Sequence, residues 1–174
     1  MLLAMYDGIY LHIWKYQLHT RKESYFEHNT HTIRAILFPL IVFLLFINDD
    51  STSLIIGVSL VLLDLVILGI DAFSETDSRE KIGGLPRWEY IIHLFSNSFH
   101  FSAIILVLAT KISLSNSGII INEFTEPSYS KEILDLVSMQ AIPGAILMAF
   151  IHLFLSIPFG KKFWINKRHK ISCC

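Results

Sequence analysis

Residues 54–75 read LIIGVSLVLLDLVILGIDAFSE. Leu54–Ile70 is almost unbroken apolar sequence, and acids then arrive at Asp71 and Glu75. At 1.5 Å per helical residue, such a run comes close to crossing the roughly 30 Å hydrocarbon core of a bilayer. Ile91–Leu108 and Ile133–Ile157 are similarly apolar, and Tyr25–Ile47 has a polar first third followed by an apolar remainder. The 174 residues are 53% hydrophobic, with a mean hydropathy of +0.53. A chain this short has too much surface to hide those runs in a soluble core. The expected fold is an all-α integral-membrane bundle of four transmembrane helices plus a short N-terminal helix, organised as a single domain.

The expected boundaries are an N-terminal amphipathic or partly inserted helix over 1–17, spans over 25–47, 54–73, 87–112 and 132–157, and a basic tail over 158–174. Pro39 and Pro143 are expected to kink the first and fourth spans, because proline removes a backbone donor and crowds the preceding turn. The polar stretch Ser74–Pro86, with Gly83, Gly84 and Pro86, reads as a loop, and so does Ser113–Lys131. Lys15, Arg21, Lys22, Arg79, Lys81, Arg87 and the five basic residues of the tail gather at one end, while the first polar loop, 48–53, has none. Positive charge stays on the cytoplasmic side, so both termini are expected to face the cytoplasm, in a cell (inner) membrane.

Several classes drop out. Net charge is −1 and no basic stripe interleaved with aromatics occurs, which argues against nucleic acid. The two cysteines, Cys173 and Cys174, end the chain, so no disulfide framework is possible and they read as an exposed tail. Asp7, His12 and Lys15 interrupt the N-terminal apolar residues, unlike a cleavable signal peptide.

The chemistry lies in where the acids and imidazoles fall. Charged groups at the edge of hydrocarbon are expensive and usually functional. Glu27, His28 and His31 open one span, Asp71 and Glu75 close the next, and Glu89 and His93 open the third. Helical spacing puts Glu27, His31 and Arg34 on one face, Asp64, Asp71 and Glu75 on another, and Glu89, His93, Asn97 and His100 on a third. All three stripes sit at similar depth. Asp64 lies about 10 Å deeper than Asp71 and is the expected partner of Arg34. Trp14, Trp88 and Trp164 read as interface anchors.

An internal echo reinforces this pattern. Asp7, His12 and Glu27-x-x-x-His31 recur as Asp71, Glu75 and Glu89-x-x-x-His93, with twenty residues from Asp7 to Glu27 and eighteen from Asp71 to Glu89. Two helical hairpins related by a pseudo-twofold axis would present paired ligand sets. The logic is that of carboxylate-bridged dimetal bundles, although the Glu–His spacing here is four and not three. Two features do not fit. Only Met1–Tyr6 precede Asp7, too few to span, so the first helix is a half-helix at the interface or an upstream segment precedes it. Asp7 and His12 stand about 140° apart on an ideal α-helix, so pointing both inward requires distortion.

The expected metal ligands are therefore Asp7, His12, Glu27, His28, His31, Asp71, Glu75, Glu89 and His93, supported by Arg34, Asp64, Asn97 and His100. Mixed oxygen and imidazole donors suit iron, manganese or zinc, in one or two divalent ions, and without thiolates copper(I) and iron–sulfur are disfavoured. The expected function is that of a membrane-bound, metal-dependent oxidoreductase, dinuclear and iron-like. It acts on a membrane lipid or lipid-soluble substrate at the cytoplasmic face, with a redox partner or a second copy of the chain. Alternatives are a b-type haem protein using two of His31, His93 and His152, a metal hydrolase, or a non-catalytic membrane subunit.

Overall fold

A computed structural model describes residues 1–116, 118–122 and 129–172. The chain opens with a single α-helical turn, Leu2–Met5, that widens into a π-helix over Tyr6–Lys15; together these form α1. Gln17 ends it in the left-handed region (φ 53°) before a 3₁₀ turn, Leu18–Thr20. α2 runs Tyr25–Val42 and relaxes into another π-turn over Phe43–Ile47. α3 spans Ser51–Arg79, α4 Arg87–Lys111, α5 Tyr129–Ser156 and α6 Pro158–Ser172. Between α4 and α5 a small antiparallel hairpin pairs β1 (Ile112–Ser115) with β2 (Gly118–Ile121).

Among the described residues four helices are long and apolar enough to cross a membrane: Tyr25–Ile47, Ser51–Ile82, Arg87–Lys111 and Tyr129–Ser156. Only 11% to 33% of each apolar window is buried, so most of those side chains face away from the protein. Phe73, at 90% exposed, and Leu106, at 68%, are extreme cases. A soluble protein of this size rarely shows so much contiguous apolar surface.

Local chemistry sets the helix ends. Asp50 caps α3, its carboxylate accepting from the Ser53 N–H at 2.8 Å, which satisfies one of the orphan donors of the first turn. At the other end Gly83 adopts φ 100° and the Gly84 N–H donates to the Arg79 carbonyl at 2.9 Å, a closure that glycine permits and other residues resist. Pro86 precedes α4 in extended geometry.

Three boundaries differ from expectation. α3 does not stop near Phe73 but continues through the polar residues to Arg79. Its polar composition there comes from packing against a polar interior, since Asp71, Glu75, Ser78 and Arg79 are all buried. The expected loop after α4 contains the β1–β2 hairpin, and the expected basic tail is helical through Ser172. Helix continues through both Pro39 and Pro143. Cys173 and Cys174 lie outside the described residues.

The apolar core is formed by Leu37, Ile41 and Leu45 with Leu54, Val61, Ile67 and Ile104. Gly57 makes it compact: a Cβ there would stand 2.4 Å from Leu45 Cδ2, so α3 approaches the end of α2 only because that position lacks a side chain. Beyond the core, Lys111 and Lys131 both pair with Asp49, at 3.0 and 3.2 Å. On its other side lies a polar layer, and then the cluster described next.

Candidate metal centre

α1, α2, α3 and α4 deliver acids and imidazoles to one end of the bundle. The expected misfit between Asp7 and His12 is resolved by the helix type. A π-helix closes its turns between residues five apart, and His12 Nε2 lies 3.3 Å from Asp7 Oδ1. Across the bundle His93 Nε2 is 2.9 Å from the same Asp7 oxygen. The His12 and His31 rings meet edge to face with centroids 4.0 Å apart. His12, Glu27 and Glu89 are fully buried.

Two groups gather metal-type donors. Asp7, His12, Glu89 and His93 each offer one donor atom within 4.8 Å of the others, and so do His12, Glu27 and His31. His12 belongs to both, and among the described residues neither of its ring nitrogens makes a well-aligned hydrogen bond, the Asp7 contact at 3.3 Å included. Burial, reinforced by the nearby His31, Arg79 and His93, holds the His12 pKa well below the ordinary imidazole range. The ring is therefore neutral, the form that can donate a lone pair to a cation.

Asp71 and Glu75 stand behind the histidines. Glu75 Oε1 is 2.9 Å from His93 Nδ1, on the side of the ring away from the Nε2–Asp7 contact. Asp71 Oδ2 is 3.2 Å from His31 Nε2, and the Thr30 hydroxyl donates to the other Asp71 oxygen. A carboxylate on one imidazole nitrogen fixes ring orientation and raises the basicity of the other, the usual support for a metal-bound histidine.

Arg79 is the centre's principal cation, and its sequence setting in a charged turn concealed it. It is fully buried, and its Nη2 lies 2.8 Å from both Glu27 Oε1 and Glu89 Oε1. Its guanidinium also stacks over Tyr16 at 4.4 Å. The available signal was its spacing of four from Glu75, which places both on one face of an extended α3. Ser78 donates to Glu27 as well. Burial and the adjoining Glu89 raise the Tyr16 pKa, so its hydroxyl stays protonated.

Deeper in the bundle, Arg34 Nε donates to Asp64 at 3.0 Å and Nη2 donates to Asn97 at 2.8 Å. His100 Nε2 lies 3.5 Å from Asp64. This layer separates the cluster from the apolar core. His28 is not brought to the carboxylate cluster. One turn from His31, it faces the other way, with its ring 5.3 Å from His152 and 5.6 Å from His19.

No protein-family model, curated protein or solved structure matches this chain. Fold and site thus define a helical bundle with four candidate spans and a buried carboxylate–imidazole centre at one end, and its chemistry must be argued from the centre itself.

Proposed function

We propose that the protein is an integral-membrane metalloprotein whose centre holds two divalent transition-metal ions, iron in the first instance. We read it as an oxidoreductase acting on a membrane lipid or lipid-soluble substrate at the cytoplasmic face. The observation that carries this reading is the presence of two overlapping donor groups, in which imidazole and carboxylate are mixed without thiolate; His12, common to both, would serve one ion as the neutral ring and both only as an imidazolate. Such donors suit iron, manganese or zinc. Bound redox-active ions would supply electron transfer or oxygen activation, and the protein's part is to hold and orient the ligands and exclude water.

The contacts also support the pseudo-twofold reading. Asp7 of the first hairpin meets His93 of the second, and Asp71 of the second meets His31 of the first. Within hairpins, His12 meets His31 and Glu75 meets His93. Arg79 then lies between the two equivalent glutamates.

The cytoplasmic assignment rests on Lys15, Arg21, Lys22, Lys81, Arg87, Lys161 and Lys162 at the cluster's end of the helices; Lys111 and Lys131 at the other end are paired with Asp49. A haem between His31 and His93 is disfavoured because the His12 ring packs against both. Fe(II) reconstitution under nitrogen followed by air tests the redox reading. We expect wild type to oxidise iron faster than His93→Ala, with ligand-to-metal absorption developing. Equal rates in the two proteins would contradict it.

A further inference from the structure

The second histidine cluster lies outside the carboxylate centre and is served by different elements. His19 comes from the 3₁₀ turn after α1, His28 from α2 and His152 from α5. All three are buried, at 1%, 0% and 2% exposure. Among the described residues neither ring nitrogen of His19 nor Nδ1 of His152 has a hydrogen-bond partner, and the His28 ring makes no well-aligned hydrogen bond, its nearest being to the His152 backbone. Three unpartnered buried nitrogens beside a poorly satisfied His28 ring require an explanation, because buried polar atoms are almost always paired.

We propose that His19, His28 and His152 form a second metal site, ligated by imidazole alone and distinct from the carboxylate centre. Ring spacing supports it. With metal–nitrogen bonds of about 2.0–2.1 Å, two imidazoles on one ion have centroids about 5.2–5.5 Å apart. His28 is the central ring, 5.3 Å from His152 with the planes at 17° and 5.6 Å from His19, so the spacing is met on either side of His28, with His19 and His152 flanking it. His152 turns Nε2 toward the Gly8 backbone, where a Cβ would meet it at 3.2 Å, and so leaves Nδ1 for the ion. A backbone partner on the far nitrogen is what a ligating histidine usually has. The three donors do not all fall within the 4.8 Å that the carboxylate groups achieve, so an ion bound here would have to draw His19 and His152 toward His28 by side-chain rotation.

Charge narrows the ion. The groups near His19 are cations, Lys161 and Arg168, with the Trp164 ring at 6.0 Å, and among the described residues the carboxylate felt by the cluster is Asp7, near His152. A divalent ion would add two charges beside Lys161 and Arg168, whereas Cu(I) adds one. Imidazole donors suit copper and zinc, so Cu(I) is the first ion to test on grounds of charge and Zn(II) the next, whereas manganese favours the oxygen-rich centre.

The test is competitive titration of the full-length, metal-stripped protein in detergent with Cu(I) buffered by a chromogenic chelator. Wild type and His93→Ala should each take up about one equivalent of Cu(I) with high affinity, while His28→Phe and His152→Gln take up less than about a fifth as much. Both imidazole-site variants should still bind Fe(II) as wild type does, which separates this site from the carboxylate centre and shows that the variants are folded. Copper uptake undiminished in folded His28→Phe and His152→Gln, or absent from wild type, would overturn the proposal.

Discussion

Asp7 and His12 touch at 3.3 Å although they stand five positions apart, because the backbone between them is π-helical. With about 4.4 residues per turn, a π-helix returns to nearly the same face after five residues, whereas an α-helix does so after four. Inserting one alanine between Ile9 and Tyr10 should therefore turn His12 out of the centre and cost as much bound metal as His12→Ala. Deleting Tyr10, which leaves aspartate and histidine four apart, should retain more metal than the insertion does. Metal content of the three purified proteins checks the order, and equal loss in deletion and insertion would refute it.

Arg79 balances two buried glutamates at 2.8 Å each. Removing one member of a buried ion-pair network leaves charge uncompensated and costs about 3–5 kcal/mol. Arg79→Met should lower the melting temperature sharply. Arg79→Lys should recover only part of the loss, since an ammonium cannot reproduce the planar fork that meets two carboxylates. Thermal unfolding in detergent measures both.

The tight α2–α3 contact makes a paired prediction. Gly57→Ala places a methyl group 2.4 Å from Leu45 Cδ2 and 2.7 Å from Cγ, and overpacking of this kind costs about 1–3 kcal/mol. Gly69→Ala, on the same helix with nothing within 4 Å, should be neutral or stabilising, because alanine is the better helix former. Similar melting temperatures for the two variants would contradict the packing described.

Two histidines outside the spans give stability a pH dependence. Burial holds His12 well below its ordinary value, and burial together with Lys161, His152 and Arg168 brings His19 down to about 4. The unfolded chain takes up protons near pH 6.5, so as pH falls it binds protons that the folded state refuses. In metal-stripped protein the stability contributed by these two rings should be lost progressively from about pH 6.5 toward about pH 4 and be constant above that window. The stability difference between wild type and His19→Gln should therefore change with pH through the window. A difference that stays constant there would be inconsistent with a buried neutral His19.

How much of this was legible in the sequence follows from what each residue type faces. The four long helices stood out because lipid-facing runs are apolar on nearly all sides, as in Leu54–Ile70. The last turns of α3 did not, since Ser74–Arg79 is polar for an internal reason: Glu75, Ser78 and Arg79 face the cluster. The grouping of acids and histidines was visible from helical spacing, and the required distortion at Asp7 and His12 from their misfit to 3.6 residues per turn. The division of labour was not visible. His28 and His31 lie one turn apart, and only packing against α5 turns His28 toward His152. Likewise Asp71 and Glu75 read as ligands, but their places beside His31 and His93 depend on how α3 sits against α2 and α4.

The central claim is that carboxylates and imidazoles from four helices hold metal in common, and elemental analysis of the detergent-purified full-length protein tests it most directly. The account predicts about two iron-type ions per chain that are lost together in His93→Ala and in Asp7→Asn. Less than about a tenth of an equivalent in metal-replete wild type, or a content unchanged by either substitution, would contradict it.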